Sequence, residues 1–305
     1  MSKDHIPVLL EEVVELLALQ PGDTVIDGTV GLGGHAQAML ERIKPNGKLL
    51  GIDRDRDNLN RAKQNLVAYA KQTTLVHDSF LNLKQIAYDC GYYPADAILL
   101  DLGFSSVHIQ DSSRGFSFQS EGPLDMRYDQ SQGQTAADII NNWSIDELAE
   151  IFRKLGEERH ARKIAAAIVA ARRHEPIQTT IDFANLIKKA IPTKRGKIHP
   201  ATRVFQALRI AVNDELAVLE QALPKALGAL KPGGRLAVIS FHSLEDRIVK
   251  QLFKQFDKTK IKIITKRPVT ATQEEIRKNP RCRSAKLRVA ERLKLCSDFP
   301  DRKHV

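Results

Sequence analysis

Cysteine is scarce in this chain, and its three copies, Cys90, Cys282 and Cys296, lie far apart. Because an odd number of widely spaced cysteines suits neither a zinc motif nor a disulfide framework, the sequence predicts no bound metal and a reducing compartment. No apolar run approaches the ~20 residues that a membrane span requires, and the first residues lack the basic and then apolar pattern of a secretion signal. We therefore expect a cytoplasmic protein without a membrane partner.

Acidic residues are also few in two segments of the chain. Residues 251–305 hold 16 Lys and Arg against 6 Asp and Glu, which equals the whole formal net charge of +10. Clustered positive charge favours contacts with phosphates and hence a nucleic-acid partner, although a solvated basic face has the same composition. The second segment, residues 188–209, has no acidic residue, and its basic residues are Lys188, Lys189, Lys194, Arg195, Lys197, Arg203 and Arg209.

Apolar runs alternate with amphipathic stretches along most of the chain. This pattern is typical of a parallel α/β sheet with helices on both faces, and a pair of later runs adds two antiparallel strands. The predicted strands are 24–27, 48–53, 73–77, 95–101, 234–240, 260–266 and 284–293, and the predicted helices around them are 9–19, 35–43, 57–70, 81–88 and 272–277.

More than 130 residues separate the fourth predicted strand from the fifth, where one crossover helix would suffice. Residues 104–133 are rich in Ser, Gly and Asp and indicate a long functional loop. Ser144 and Glu147 have the spacing of a helix capping box. We predict a discontinuous core, 1–133 and 200–305, with an inserted all-helical domain at 134–199. The predicted helices in and after this region are 135–141, 144–155, 157–174, 180–191, 202–223 and 224–230.

A glycine-rich loop, residues 27–35, follows the first predicted strand, and the second strand ends on Asp53. Glycines at 31, 33 and 34 let the backbone approach a ligand closely, and a carboxylate at the tip of the next strand suits the hydroxyls of a ribose. The loop therefore indicates a nucleotide-cofactor site. It also fits the G-x-G-x-x-G/A pattern of dinucleotide enzymes, and glycine clusters occur in ordinary turns.

Several blocks, in order along the chain, resemble the bacterial 16S ribosomal RNA cytosine N4-methyltransferase H family, and the resemblance runs essentially end to end. The blocks are DGTVGLGGH at 27–35, IDRD at 52–55, LLDLGFSS at 99–106, RGFSF at 114–118, GPLDMR at 122–127, HPATRVFQA at 199–207 and SFHSLEDR at 240–247.

The resemblance implies a class I S-adenosylmethionine-dependent methyltransferase, with a Rossmann-like seven-stranded sheet and a helical insertion. Its implied substrate is the N4 amine of a decoding-centre cytidine in 16S rRNA of the small ribosomal subunit. His108 stands where the family commonly has Gln, so a contact with a different donor is expected there. The implied contacts to S-adenosyl-L-methionine are Gly33, Gly34, His35, Asp53, Phe80, Asp101 and His108.

Asp101 is the candidate catalytic residue. The lone pair of the exocyclic N4 is delocalised into the ring, so the enzyme must orient this nitrogen and supply an acceptor for its proton. Asp101 ends the fourth strand, where open parallel sheets place chemistry. The amino-methyltransferase motif with two prolines is missing here, so Asp101 is either that acceptor or a cofactor ligand. Methylation at C5 requires a nucleophilic Cys, and the loops 101–106 and 240–243 contain none.

Other roles stay open at the level of the sequence. Basic side chains border the substrate cleft, where they pair with phosphates or with carboxylates such as Asp125, and those of the C-terminal part follow an RNA backbone or form the solvent face of a strand. Two other functions compete, a nicotinamide oxidoreductase and a non-catalytic ribosome-assembly factor. The sequence does not determine the oligomeric state, and a homodimer is among the states that it allows. The cleft residues are Arg114, Arg127, His199 and Arg203, and the C-terminal ones are Arg277, Lys278, Arg281, Arg283, Lys286 and Arg288.

Overall fold

A computed structural model describes residues 6–103, 106–191 and 199–294. The chain folds into two compact units. The second unit comprises residues 106–215. The first unit comprises the chain before it, up to residue 105, and the chain after it, from residue 216 onward. In the parts of the chain that the structure describes, no helix is long and apolar enough to cross a membrane.

A seven-stranded sheet forms the centre of the first unit, in the order β3-β2-β1-β4-β5-β7-β6. Strands β1 to β5 are parallel, whereas β7 runs antiparallel to both β5 and β6. The predicted α/β class and the antiparallel closing pair are therefore confirmed. The strands are β1 Thr24–Asp27, β2 Lys48–Asp53, β3 Thr73–His77, β4 Ala95–Asp101, β5 Leu230–Ser240, β6 Ile261–Ile263 and β7 Lys286–Arg292.

Helices follow the strands in the first unit and make up most of the second. Their bounds are α1 Leu10–Leu17, α2 Gly34–Ile43, α3 Arg56–Asn65, α4 Leu83–Asp89, α5 Ser106–Gln110, α6 Ala136–Asn142, α7 Ile145–Lys154, α8 Ala161–Ala171, α9 Thr180–Ala190, α10 Ala201–Asn213, α11 Glu215–Ala229, α12 Ser243–Phe256 and α13 Gln273–Lys278.

Successive side chains of the central strands enter two separate hydrophobic cores. Leu99 of β4 belongs to the core on one face of the sheet, with Val13 of α1 and Met39 of α2, and Leu100 to the core on the other face, with Phe253 of α12. This alternation follows from the two-residue period of a strand. Because both faces are covered, the strands are nearly continuous apolar runs, and the polar residues collect at their ends.

The second unit has a hydrophobic core of its own, to which α6 to α10 contribute. Ser144 accepts the N–H of Glu147 and the Glu147 carboxylate accepts the N–H of Ser144, which confirms the predicted capping box. The unit is larger than the predicted insertion, 134–199, because its core also includes Leu124 and Met126 before it and Phe205 after it.

Several predicted element bounds differ from the structure. The break between the last two helices before β5 falls at Asp214, whose φ of 51° ends α10, and not at Pro224, which lies inside α11. Strand β5 begins at Leu230 and not at residue 234, and residues 231–234 form a bulge within it, since Ala95 pairs with Leu230 and Ala97 with Arg235. Helix α12 was not predicted.

Candidate active site

The glycine-rich loop links β1 to α2, and two of its glycines are required by its shape. Gly33 has a φ of 86°, in the left-handed region that glycine adopts without strain. Gly34 opens α2, and a Cβ on it would lie 2.5 Å from Cγ of Pro7. The N-terminal segment therefore packs directly against the loop, which no larger residue at position 34 would permit without a shift.

Asp53 connects the tip of β2 to this loop. Its Oδ2 accepts the N–H of Gly31 at 2.9 Å, and its Oδ1 accepts the N–H of Asp55 at 2.8 Å. Hydrogen bonds from a backbone N–H to a carboxylate are among the stronger ones in proteins. Asp53 thus fixes the loop, and its predicted contact with ribose hydroxyls stays a prediction.

His35 and Asp101 meet at the neighbouring strand end. The Nδ1 atom of His35 lies 3.7 Å from Oδ2 of Asp101, and the His35 Nε2 lies 2.9 Å from the carbonyl oxygen of Val8. The other carboxylate oxygen of Asp101 accepts the N–H of Gly103 at 3.2 Å, while the Asp101 N–H donates to Oγ1 of Thr29 at 2.6 Å. The structure therefore brings two predicted site residues together and attaches both to the surrounding backbone.

Three carboxyl groups end adjacent strands, which affects their protonation. Asp27 is only 1% exposed, and burial raises its pKa to about 8. The negative charges of Asp101 and Asp53 contribute to this rise, whereas hydrogen bonds from Thr29 act to lower the pKa. Burial likewise raises the pKa of Asp101, and the charge of Glu245 adds to this, while His35 acts in the opposite direction. Desolvation favours the neutral form of a carboxyl group, so this edge holds protons more readily than exposed aspartates do.

Phe80 follows β3 and opens the short 3-10 helix Phe80–Asn82. It is partly buried against the core that contains Leu83 and Leu100. Its Cβ lies 3.2 Å from the position that a Cβ on Gly28 would occupy. The predicted aromatic residue therefore lies beside the start of the glycine-rich loop, at the same end of the sheet as Asp53.

Sequence reasoning assigned no role to Phe241 and Glu245, which follow the end of β5. The ring of Phe241 lies 2.7 Å from the position of a Cβ on Gly103, so a side chain at 103 would displace this ring. Glu245 is buried, and its Oε2 accepts the N–H groups of Phe241 at 2.8 Å and His242 at 3.3 Å. This is a capping box at the start of α12 in which His242 replaces the usual Ser or Thr, and that substitution is why the helix start was not recognised.

The predicted cofactor residue His108 lies in the second unit. Its ring is 2% exposed, stacks on Phe116 at 4.9 Å between centroids and contacts Tyr128 at 5.4 Å. Arg114 is also buried there, and its Nη2 donates to the carbonyl oxygens of Arg127 and Tyr128, each at 3.0 Å. These contacts hold a backbone loop, and the expectation that Arg114 pairs with a phosphate or a carboxylate stays a prediction.

Of the two partners predicted for Arg127, a phosphate or a carboxylate, the structure shows a carboxylate. Its Nε and Nη2 donate to the two oxygens of Asp125 at 2.8 and 2.9 Å. Burial acts to raise the pKa of Asp125, but these hydrogen bonds outweigh it and lower the pKa. A two-point ion pair of this kind fixes the orientation of the guanidinium and of the carboxylate, so Arg127 is a structural residue of the second unit.

Some of the other predicted basic residues of the second unit are paired within it, and others are exposed. Arg209 makes a two-point ion pair with Glu215 at 2.9 Å, and Arg203 donates to the carbonyl oxygen of Glu157 at 3.1 Å. His199 stacks on Phe118 at 4.7 Å between centroids. Of the predicted basic cluster, Lys188 and Lys189 are exposed, and three residues lie outside the described ones: Lys194, Arg195 and Lys197.

The C-terminal basic residues also divide into two groups. Arg288 is buried, and its Nε donates to Asp246 at 2.7 Å, while Lys286 donates to the same carboxylate at 3.3 Å. Neither the expected RNA contact nor the expected solvent face applies to Arg288. Lys278 pairs with Glu274 at 2.7 Å on the surface of α13. The other exposed members of this group are Arg277, Arg281 and Arg283.

Fold and site together define a class of protein. A sheet with five parallel strands and an antiparallel closing pair, a glycine-rich loop after β1 and a carboxylate at the end of β2 are the features expected of a class I methyltransferase. The chain belongs to the MraW methylase family, whose model matches residues 2–293. This membership confirms the predicted family, the methyltransferase class and the use of S-adenosylmethionine, and it does not favour the nicotinamide oxidoreductase.

Curated relatives match over nearly the whole chain. One from Syntrophotalea carbinolica is 48% identical, and the match covers 95% of this chain and 98% of the relative. Others from Thermomicrobium roseum and Dehalococcoides mccartyi are 46% and 47% identical, and cover 96% and 95% of this chain and 95% and 86% of the relatives. All three are named ribosomal RNA small subunit methyltransferase H.

Proposed function

We propose that this protein transfers a methyl group to the N4 amine of a decoding-centre cytidine in 16S rRNA of the small ribosomal subunit. The observation that carries this proposal is the end-to-end similarity, up to 48% identity, to relatives named for the methylation of that RNA. The choice of N4 rests on Asp101 at the end of β4 and on the lack of a cysteine in the loops after β4 and β5. A substrate of this kind is met in the cytoplasm.

The residues present fit S-adenosyl-L-methionine. The left-handed backbone at position 33 favours glycine, which has no Cβ, and Asp53 offers carboxylate oxygens at the tip of β2. This group supplies an activated methyl on a sulfonium, so the transfer needs no metal. In the proposal, the loop holds the methionine end, Asp53 the ribose and Phe80 the adenine. The full set of binding residues proposed is Gly33, Gly34, His35, Asp53, Phe80, Asp101 and His108.

Asp101 would accept the proton that N4 loses. Burial raises the pKa of Asp101, which makes its carboxylate a stronger base than an exposed aspartate. The N–H group of Gly103 and the hydroxyl of Thr29 hold the residue in place, so the acceptor is positioned in advance. Orientation of the nitrogen should contribute more than base strength, because good positioning supplies roughly 7–11 kcal/mol in favourable systems.

RNA binding would use the basic residues that remain exposed. In the second unit these include Lys188 and Lys189, and we propose that this unit recognises the substrate. In the first unit they include Arg277, Arg281 and Arg283. Basic side chains on a surface contribute most of the sequence-independent affinity for phosphates.

Mass spectrometry of digested small-subunit rRNA, from cells with and without this protein, tests the proposal. We expect one methyl group on the exocyclic nitrogen of a single cytidine, present only when the protein is present. The purified protein and S-adenosylmethionine should restore it in particles from the deficient cells. Methyl at C5 or on a ribose, or no difference between the two rRNAs, would contradict the proposal.

A further inference from the structure

The tautomer of His35 is determined by the structure. Its Nε2 lies 2.9 Å from the carbonyl oxygen of Val8, and a carbonyl oxygen only accepts, so Nε2 carries a proton and donates. In the neutral ring Nδ1 then has a lone pair, and this atom is the one that lies 3.7 Å from Oδ2 of Asp101. His35 is 7% exposed, so water has little access to the ring.

The Val8 carbonyl is held from the opposite side by the α13 region. The N–H of Leu9 donates to Oε1 of Glu275 at 2.8 Å, and Nδ2 of Asn279 donates to the carbonyl oxygen of Ile6 at 3.0 Å. Such an arrangement, in which a histidine is oriented through one nitrogen and presents the other to a reacting group, is the general design of catalytic histidines.

We propose that His35 is a second proton acceptor of the reaction, which receives through Asp101 the proton lost by the target nitrogen. This rests on the proposed function. As the N4 lone pair forms the new N–C bond, the S–C bond breaks and its electron pair stays on sulfur. Asp101 Oδ2 takes the proton from N4 and passes it to Nδ1 of His35. The resulting imidazolium keeps its Nε2 proton on Val8 and later returns the other proton through Asp101 to the solvent.

The surroundings favour this transfer. Around this pair the charged groups include Glu245 on α12, Asp27 on β1 and, next to Asp27, Asp53 on β2, and all three are acidic. Nearby negative charge stabilises an imidazolium and disfavours a second ionised carboxylate. Burial also raises the pKa of Asp101, so its carboxylate takes up the proton from N4 more readily than an exposed aspartate would. A separation of 3.7 Å is longer than a hydrogen bond, but catalytic contacts commonly shorten when substrate binds.

His35→Gln tests the proposal. A glutamine amide can donate to Val8 as Nε2 does, yet it takes up no proton. We expect unchanged thermal stability and, with S-adenosylmethionine at saturating concentration as determined by calorimetry, a single-turnover rate on small-subunit particles lower by roughly 10²-fold. In the wild type the rate should fall at low pH as the Asp101 carboxylate is protonated, and this dependence should change in the variant. His77→Gln is the control, because His77 also bonds a carbonyl oxygen through Nε2, that of Arg54, but is exposed.

A second variant keeps the test informative if His35→Gln fails to fold. In His35→Ala, added imidazole should raise the rate in proportion to its free-base concentration. A normal rate in His35→Gln, recovery of its rate by excess S-adenosylmethionine, or no effect of imidazole on a folded His35→Ala enzyme would overturn the proposal and leave N4 methylation intact. Methyl on another atom in the wild-type product would instead refute the proposed function.

Discussion

Asp27 ends β1 with its carboxyl group buried, and burial raises its pKa from 3.8 to about 8. Because the folded state binds this proton more tightly, the stabilising contribution is present in full below pH 4 and is lost as the pH rises through about 8. Asp27→Asn should therefore be more stable than the wild type at pH 9, by on the order of a few kcal/mol, and similar to it at pH 4.

Denaturant unfolding over this pH range measures the difference. The variant Asp89→Asn serves as the control, because it replaces a carboxyl group that is exposed and not buried. A difference for Asp27→Asn that does not grow with pH would show that Asp27 is ionised in the folded protein.

Asp53 joins the loop to β2 and is the proposed ribose acceptor. Asp53→Ala should weaken S-adenosylmethionine binding by at least ~1.5 kcal/mol, since a charged hydrogen-bond acceptor is removed. Calorimetry measures this affinity, and NAD should show no binding. Unchanged affinity would remove Asp53 from the site. The matched variant Asp53→Asn keeps one acceptor oxygen and should weaken binding less.

At the scale of elements, the glycines of the second unit offer a matched pair. Gly115 and Gly133 have φ values of 72° and 79°. A Cβ on Gly115 would lie 2.3 Å from the carbonyl oxygen of Pro123, whereas one on Gly133 would meet nothing within 4 Å. Gly133→Ala should cost about 1 kcal/mol of stability from the backbone angle alone, and Gly115→Ala clearly more.

Thermal unfolding of the two variants and the wild type tests this difference. Equal losses of stability would mean that the backbone around Pro123 moves to accommodate the new Cβ at little cost in free energy.

Strands β1 to β4 matched their predicted bounds because each is an apolar run that ends at a turn or a polar residue, such as Asp53. The start of α12 was missed because His242 is an unusual cap, and Asp214 was missed because a left-handed aspartate leaves no pattern in the sequence. Interactions between distant residues, such as Asp246 with Arg288, also leave no local signal. Sequence patterns place a residue on an element, but they do not reveal its partner.

At the scale of the molecule, the exposed and the paired basic residues predict different behaviour. Replacing Arg281 and Arg283 together by Gln should flatten the dependence of RNA affinity on salt, by about 0.7 for each phosphate that is no longer neutralised if the bound RNA is single-stranded. Arg288→Gln should leave that slope unchanged and lower stability instead, because Asp246 would no longer have its buried ion-pair partner.

Filter binding over a salt series, with melting curves for each variant, separates the two effects. The result that would contradict this division is a slope that changes for Arg288→Gln and not for the double variant.

The pairing of β4 with β5 also has a consequence for synthesis. Asp101 lies beside Ile239 in the sheet, yet the two are separated by the entire second unit in the chain. During translation β4 is made long before its neighbour, so it has an open edge while residues 106–215 emerge and can fold around their own core. Closing so long a loop is slow. The first unit, which holds the glycine-rich loop, should therefore be the last part of the molecule to fold on the ribosome and to bind S-adenosylmethionine.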